Sequence, residues 1–148
     1  MPYVETQDLI DELGQSTLIQ LTDDAGTDEI NDARISKAIE FARGTFDSYA
    51  RSRYSLPVPT TPMVKAINLD LAVFHLYKSR STVHNEGIYP IRKNAADDAM
   101  KLLRDIQAGK AALDVPAAEE TAALPATSDK VLTNASNSKF TDDRLRGL

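Results

Sequence analysis

The chain has 148 residues, a formal net charge of -5, 42% hydrophobic residues and 26% charged residues. This length buries roughly 68 to 70% of the unfolded surface, enough for one independent core, and the composition is that of an ordinary globular protein. Cysteine is absent, which excludes disulfides, thiolate catalysis and cysteine zinc sites. The longest apolar-rich run, 63–77, is too short for a bilayer and includes charged residues, so we expect no membrane partner.

Acidic residues are concentrated at the start of the chain. Residues 1–33 contain nine acids and no Lys or Arg: Glu5, Asp8, Asp11, Glu12, Asp23, Asp24, Asp28, Glu29 and Asp32. One interpretation is a solvated face whose acids favour the positive ends of helices. The other is a surface that repels DNA or meets a basic partner.

The first predicted helix is short. Thr6 is a suitable N-cap, and Gly14 stands where a C-terminal glycine is expected. Residues 17–21 add at most one helical turn, and the composition of 22–27 predicts a loop.

The second helix is predicted to begin near Asn31 or Asp32 and to stop by Tyr54, because three prolines follow between 57 and 62. Its apolar side chains recur at three- and four-residue spacings, which indicates one buried stripe. The stripe consists of Ile35, Ala38, Ile39, Ala42, Phe46 and Tyr49.

The third predicted helix begins at the Thr61-Pro62 pair, in which threonine caps and proline takes the first helical position, and it runs to about Thr82. Eleven of the fifteen residues in 63–77 are apolar. They point in almost every direction around the axis, which predicts a central helix packed on several sides, with Leu71 and Phe74 in its core.

The fourth predicted helix runs from about Pro90 to Ala108 and ends at Gly109, with Asp97 and Lys101 as a surface pair. Its expected buried stripe is Ile91, Ala95, Ala99, Leu102, Leu103 and Ile106. The fold class is therefore all-α: a small bundle of about four helices around a central apolar helix. We expect a helical domain over 1–113 and an extended C-terminal arm over 114–148.

Asp70 lies among apolar residues of the central helix, where an unpaired carboxylate would shift its pKa or destabilise the fold. We expect a structural ion pair with Arg53 or, as the second choice, Arg51, since both lie at the end of the preceding helix.

No pattern in the sequence predicts catalysis, a metal site or a cofactor. His75 and His84 are nine residues apart, and an EF-hand numbered from Gly26 would place Leu21 at its first ligand. Ser136 and Lys139 have a serine-nucleophile spacing but lie in the polar tail. A helix-turn-helix would need basic residues, and none precedes Arg34. We therefore expect that the protein is not an enzyme.

The arm over 114–148 is rich in Ala, Glu, Pro, Thr, Ser and Asn and has no sustained periodicity, so it cannot offset its ordering entropy alone. We expect it to bind a partner through an apolar and basic tip and through a short added strand. The tip residues are Phe140, Arg144, Leu145, Arg146 and Leu148, and the strand residues are Val131 and Leu132.

Three stretches in order carry a resemblance: Leu-Ile-Gln-Leu-Thr-Asp at 18–23, Asp-Ser-Tyr-Ala-Arg-Ser-Arg-Tyr-Ser-Leu-Pro at 47–57, and Leu-Leu-Arg-Asp-Ile-Gln-Ala-Gly-Lys at 102–110. Together they resemble the head-tail adaptor (connector, or head-completion) proteins of long-tailed bacteriophages, of the Mu-like prophage type. The resemblance spans about 3–113. The ending 140–148 is similar too, whereas 114–139 resembles no segment that we can name.

The resemblance implies a structural virion protein without catalysis. Such adaptors form a homo-oligomeric ring beneath the portal protein, extend the DNA channel, and present a surface to a stopper or tail-terminator protein. A dodecamer in the virion neck, assembled in the host cytoplasm, is implied, with DNA passing through without specific binding. The alternative is a small helical regulator, monomeric or dimeric, that binds a partner through its apolar faces.

Overall fold

The computed structural model describes residues 2–80 and 87–115. Its elements are α1 (Thr6–Leu13), α2 (Gln15–Thr22), α3 (Asp32–Ala50), α4 (Pro62–Ser79) and α5 (Ile88–Gln107). The described ranges contain no strand, so the all-α class is confirmed. Within the described ranges the bundle has five helices, because the turn expected at 17–21 is a complete helix of its own.

Local capping signals determine where α3 and α4 begin. The side chain of Asn31 accepts hydrogen bonds from the N–H groups of Ala33 and Arg34, at 3.1 and 3.3 Å. The hydroxyl of Thr61 accepts from the N–H of Val64 at 3.3 Å, and Pro62 is the first helical residue. Both starts therefore agree with the sequence-based predictions.

The first two helices meet at a single glycine. The cap of α1 is Glu5 rather than Thr6, since the N–H of Glu5 donates to the Asp8 carboxylate at 2.8 Å. Gly14 then has a φ of +80°, which L-residues with a side chain rarely adopt. This conformation lets α2 start directly after α1 without a longer connection.

Helix α4 is the centre of the fold, because it contacts each of the other four helices. Its buried residues are Val64, Ile67, Asn68, Leu71, Ala72, Val73, Leu76 and Tyr77. The prediction of a central helix is confirmed, with one correction. Phe74 is only partly buried, because it lies toward the edge of the bundle, where its ring approaches that of Tyr89.

The buried stripe of α5 differs from the predicted one. It consists of Ala96, Ala99, Leu103 and Ile106. Ile91 was expected to be buried but is 65% exposed. The buried stripe continues through Arg92, and the side chain of Ile91 lies about 100° away from it because successive residues of an α-helix are rotated by that angle. The predicted surface pair is also different, since Asp97 pairs with Lys93 at 2.7 Å and not with Lys101.

Residues 113–115, around the predicted end of the domain at 113, contact the rest of the described bundle. The N–H of Leu113 donates to the Tyr54 hydroxyl at 2.9 Å, and the Thr61 hydroxyl donates to the Asp114 carboxylate. Val115 packs against the core. Within the part of the chain that the structure describes, no helix is both long and apolar enough to cross a membrane.

Candidate interaction surfaces

The acidic start of the chain is joined to the bundle by ion pairs across helices. Lys65 of α4 pairs with Asp8 at 2.6 Å, and Arg92 of α5 pairs with Glu12 at 2.7 Å. The carboxylate of Asp24 forms ion pairs with both Arg34, at 2.5 Å, and Arg80, at 3.0 Å. Three of the nine acids are therefore neutralised by cations outside 1–33. The exposed remainder, Glu5, Asp11, Asp28, Glu29 and Asp32, forms no ion pair within the described residues.

The loop between α2 and α3 is organised around Asp23. Its carboxylate accepts hydrogen bonds from Thr27, Asp28, Gly26 and Ala25, and these bonds hold the pKa of Asp23 below its ordinary value. Buried Thr22 closes the base of the loop, since its hydroxyl accepts from the N–H of Asn31 at 3.1 Å. The carboxylate is thus occupied in holding the loop. In the described ranges, no group of three potential metal ligands occurs.

Asp70 lies in a mostly acidic environment at the edge of the core. Burial raises its pKa, the neighbouring Glu12 raises it further, Arg92 lowers it, and Asp98 raises it. The fully buried polar side chain of α4 is instead Asn68, which is 1% exposed and donates to the carbonyl of Val64 at 2.9 Å.

The two candidate partners of Asp70 lie elsewhere. Arg51 donates from Nε to the carbonyl of Asp47 at 3.3 Å. The guanidinium of Arg53 lies beside Gly109, where a side chain would collide with it. The ion pairs found among the described residues therefore do not include one between Arg53 and Asp70.

Tyr3 attaches the start of the chain to α3 and to the proline-rich loop. Its hydroxyl donates to Oδ1 of Asp47 at 2.8 Å and accepts from the N–H of Val58 at 3.3 Å. Its ring meets Phe46 edge to face, with centroids 5.0 Å apart. Burial and the hydrogen bond to Asp47 raise the pKa of Tyr3 to about 12.

An open apolar cavity lies between α3 and the last turns of α4. We call it the aromatic groove; its lining residues are Phe41, Phe74, His75, Lys78 and Ser79, and its volume is about 290 Å³. The rings of Phe41 and His75 stack with centroids 4.6 Å apart, yet Phe41 remains 45% exposed. The aromatic groove therefore has one largely exposed aromatic side chain among its lining residues.

Lys78 lines the aromatic groove, and Lys37 is close enough to act on the His75 ring. Burial, Lys78 and Lys37 all lower the pKa of His75, so the imidazole is neutral at pH 7. Its Nδ1 is buried and has no hydrogen-bond partner among the described atoms. The sequence contains one signal for this groove, because Phe41 is a large apolar residue that lies off the buried stripe of α3.

The residues predicted to form the partner-binding arm lie outside the described part of the chain. They are Val131, Leu132, Phe140, Arg144, Leu145, Arg146 and Leu148.

The fold and its surfaces define a small all-α protein in which an acidic helical pair is joined by ion pairs to a three-helix core. The model of the family described as Bacteriophage Mu, Gp36 matches residues 3–131, most of the chain. The chain belongs to that family and is a Mu-like phage protein. The match extends past residue 113 into the predicted arm, so the expectation that the resemblance ends at about residue 113 is wrong for 114–131. None of the curated proteins matches the chain in sequence.

Proposed function

We propose that the protein is a head-tail adaptor: a non-catalytic structural protein that forms a ring between the portal and the tail of a Mu-like phage. The single observation that carries this proposal is the match of residues 3–131 to the family described as Bacteriophage Mu, Gp36, a range that includes the three stretches that resemble adaptor proteins. In this role it extends the DNA channel in the virion neck. Its partners are the portal protein and a stopper or tail-terminator protein.

The surface charge supports passage of DNA without binding. DNA affinity comes largely from Lys and Arg that neutralise phosphates. In this domain Lys65, Arg92 and Arg34 are paired with acids of the N-terminal segment, whereas acids such as Asp28 and Glu29 are exposed and form no ion pair within the described ranges. A channel wall formed by this N-terminal segment would repel the phosphate backbone.

The ring is tested by native mass spectrometry of the full chain, alone and with the portal protein. The expected species is a closed oligomer whose mass is a large multiple of the 16.2 kDa chain, with twelve copies on the portal. A chain that stays monomeric or dimeric, with or without portal, supports the alternative of a small helical regulator.

The position in assembly is tested in infected cells with a phage that lacks the gene. DNA-filled heads and complete but unattached tails are expected, and supplying the protein should restore joined particles. Joined, infectious particles formed in its absence would show that the protein is not an adaptor.

A further inference from the structure

We propose that α1 is an ionic strap: a helix that opens locally, between two fixed ends, when the ion pairs that hold it to α4 and α5 are screened or displaced. These pairs join Asp8 to Lys65, at 2.6 Å, and Glu12 to Arg92, at 2.7 Å. The opening requires no movement of α3, α4 or α5, and it does not depend on the proposed function. It uncovers the face of α4 that lies beneath α1.

Helix α1 depends on its contacts with the other helices. Isolated helices shorter than about 12 to 15 residues are marginal in water, and α1 has eight residues. Its buried side chain is that of Leu9, and those of Ile10 and Leu13 are half-buried. By comparison, α3 buries five residues and α4 buries eight. The two ion pairs therefore make up a larger share of the attachment of α1 than charged contacts do for α3 or α4.

Both ion pairs are open to solvent. The side chains of Lys65, Glu12 and Arg92 are 46%, 38% and 24% exposed, so dissolved ions reach them. The Debye length falls from about 10 Å at 0.1 M salt to about 3 Å at 1 M, so salt weakens such pairs. The carboxylate of Asp8 also accepts from the N–H of Glu5 at 2.8 Å, at the cap of α1. Loss of the pair with Lys65 therefore reaches the residue that stabilises the start of the helix.

Carboxylates on the other side of the interface oppose the contact. Burial raises the pKa of Asp70, and the charge of Glu12 raises it further, so Asp70 of α4 and Glu12 of α1 repel each other. Asp98 of α5 also raises the pKa of Asp70, and Arg92 is the cation that lowers it. Once Arg92 is screened or paired with another anion, Glu12 faces these repelling carboxylates. The same ions thus remove an attraction and leave a repulsion.

The two ends of α1 are anchored independently of the ion pairs. Tyr3 and Val4 are buried before it, and Leu18 is fully buried after it, in α2. Gly14 joins the two helices and has open space around its Cα. An unwound segment is longer than the helix it replaces, since a helix rises 1.5 Å per residue and an extended chain up to about 3.3 to 3.6 Å. Residues 5–14 can therefore move outward while the rest of the domain stays folded, as in local unfolding.

Amide hydrogen exchange of the full chain, followed by NMR, tests the ionic strap. The readout is the exchange rate of the N–H groups of residues 10–14, which donate within α1, divided by that of residues 70–76 in α4. Lys65→Met removes the pair that links α4 to α1. Lys93→Met is the matched control, because it removes a pair of nearly the same length, 2.7 Å, within α5. Both lysine side chains are about half exposed, so both variants should fold.

At low salt we expect Lys65→Met to raise the ratio of exchange rates about two- to fivefold, the effect of losing one exposed ion pair, and Lys93→Met to leave it unchanged. Raising the NaCl concentration to about 1 M should increase the ratio in the natural chain at least as much, and less in Lys65→Met, which has lost one of the two pairs. Equal effects of the two variants would overturn the proposal, because α1 would then fray regardless of its ion pairs. A ratio that does not respond to salt would overturn it too, as would α1 amides that exchange only as slowly as those of α4.

Discussion

The hydroxyl of Tyr3 donates a 2.8 Å hydrogen bond to the carboxylate of Asp47, which lies 44 residues further along the chain. The same oxygen accepts from the N–H of Val58, so one phenol joins the N-terminal segment, α3 and the proline-rich loop.

Replacing Tyr3 with Phe should lower the free energy of unfolding by about 1 to 3 kcal/mol, because the partly buried Asp47 carboxylate and the buried N–H of Val58 each lose a hydrogen bond. The measurement is urea denaturation at pH 7. Tyr49→Phe is the control, since Tyr49 is half-buried and its hydroxyl forms no hydrogen bond with described residues. Equal losses in the two variants would show that the Tyr3 bonds contribute nothing specific.

The ionisation of Tyr3 should also make the stability of the protein depend on pH. The folded-state pKa of Tyr3 is about 12 against an ordinary value of 10.0, so its stabilising contribution is complete below pH 10 and is lost as the pH rises toward 12. The stability gap between the natural chain and Tyr3→Phe should therefore be constant from pH 7 to 9 and narrow above 10. A gap unchanged up to pH 12 would contradict the raised pKa.

Leu71 and Phe74 should respond differently to truncation. Leu71→Ala should cost about 2 to 5 kcal/mol, because Leu71 is 2% exposed and its removal leaves a core cavity. Phe74→Ala should cost less than about 2 kcal/mol, since part of its ring is already in contact with water. Chemical denaturation of both variants measures which one loses more free energy of unfolding. A larger loss for Phe74→Ala than for Leu71→Ala would mean that Phe74 does not lie at the edge of the bundle.

Asp70→Asn should stabilise the protein at pH 7 by up to about 1 kcal/mol, the size of a partly exposed charge interaction. The folded-state pKa of Asp70 lies above the ordinary 3.8, so its ionised form opposes folding at neutral pH, and this cost disappears as the pH falls through the raised pKa toward 3.8. The advantage of the variant should therefore vanish near pH 3. Thermal melts at both pH values test this, with Glu29→Gln as an exposed control that should change little.

Two glycines should have opposite effects when changed to Ala. Gly44 lies inside α3 with open space at its Cα, so Gly44→Ala should add about 0.5 to 1 kcal/mol. Gly109 has a φ of +77° and faces the Arg53 guanidinium, so Gly109→Ala should cost about 1 to 2 kcal/mol or more. Melting temperatures that move in the same direction for both would contradict the assigned backbone conformations.

A chain ended after Val115 should keep its helical circular dichroism and melting temperature, because the described helices and their core contacts lie before that point. Ending it after Ala112 should cost about 1.5 to 3 kcal/mol, since this removes the buried side chain of Leu113 and its bond to Tyr54. Equal stability of the two truncated chains would show that residues 113–115 do not belong to the domain.

The features that could be predicted from the sequence are those encoded locally. Asn31 and the Thr61-Pro62 pair cap helices through hydrogen bonds to neighbouring residues. The starts of α3 and α4 can therefore be predicted without knowledge of the tertiary packing. Helix α2 was underestimated, because its start follows a glycine without a side-chain cap. Ile91 shows the limit of predictions from hydrophobic periodicity. The spacing of apolar residues in α5 is compatible with two adjacent stripes on the helix, and only the packing against other helices determines which stripe is buried.

Contacts between distant residues could not be predicted in the same way. The environment of Asp70 depends on Glu12 and Arg92, which lie on two other helices, and the sequence places no constraint on which cation reaches which acid. The groove at Phe41 likewise depends on how α3 packs against the end of α4.

The bonds from Leu113 to Tyr54 and from Asp114 to Thr61 give everything that follows a fixed point of origin. Both bonds lie at the last residues of the helical domain, so a chain ended after Val115 keeps them. A label attached at Val115 in that shortened chain should therefore be held close to the start of α4.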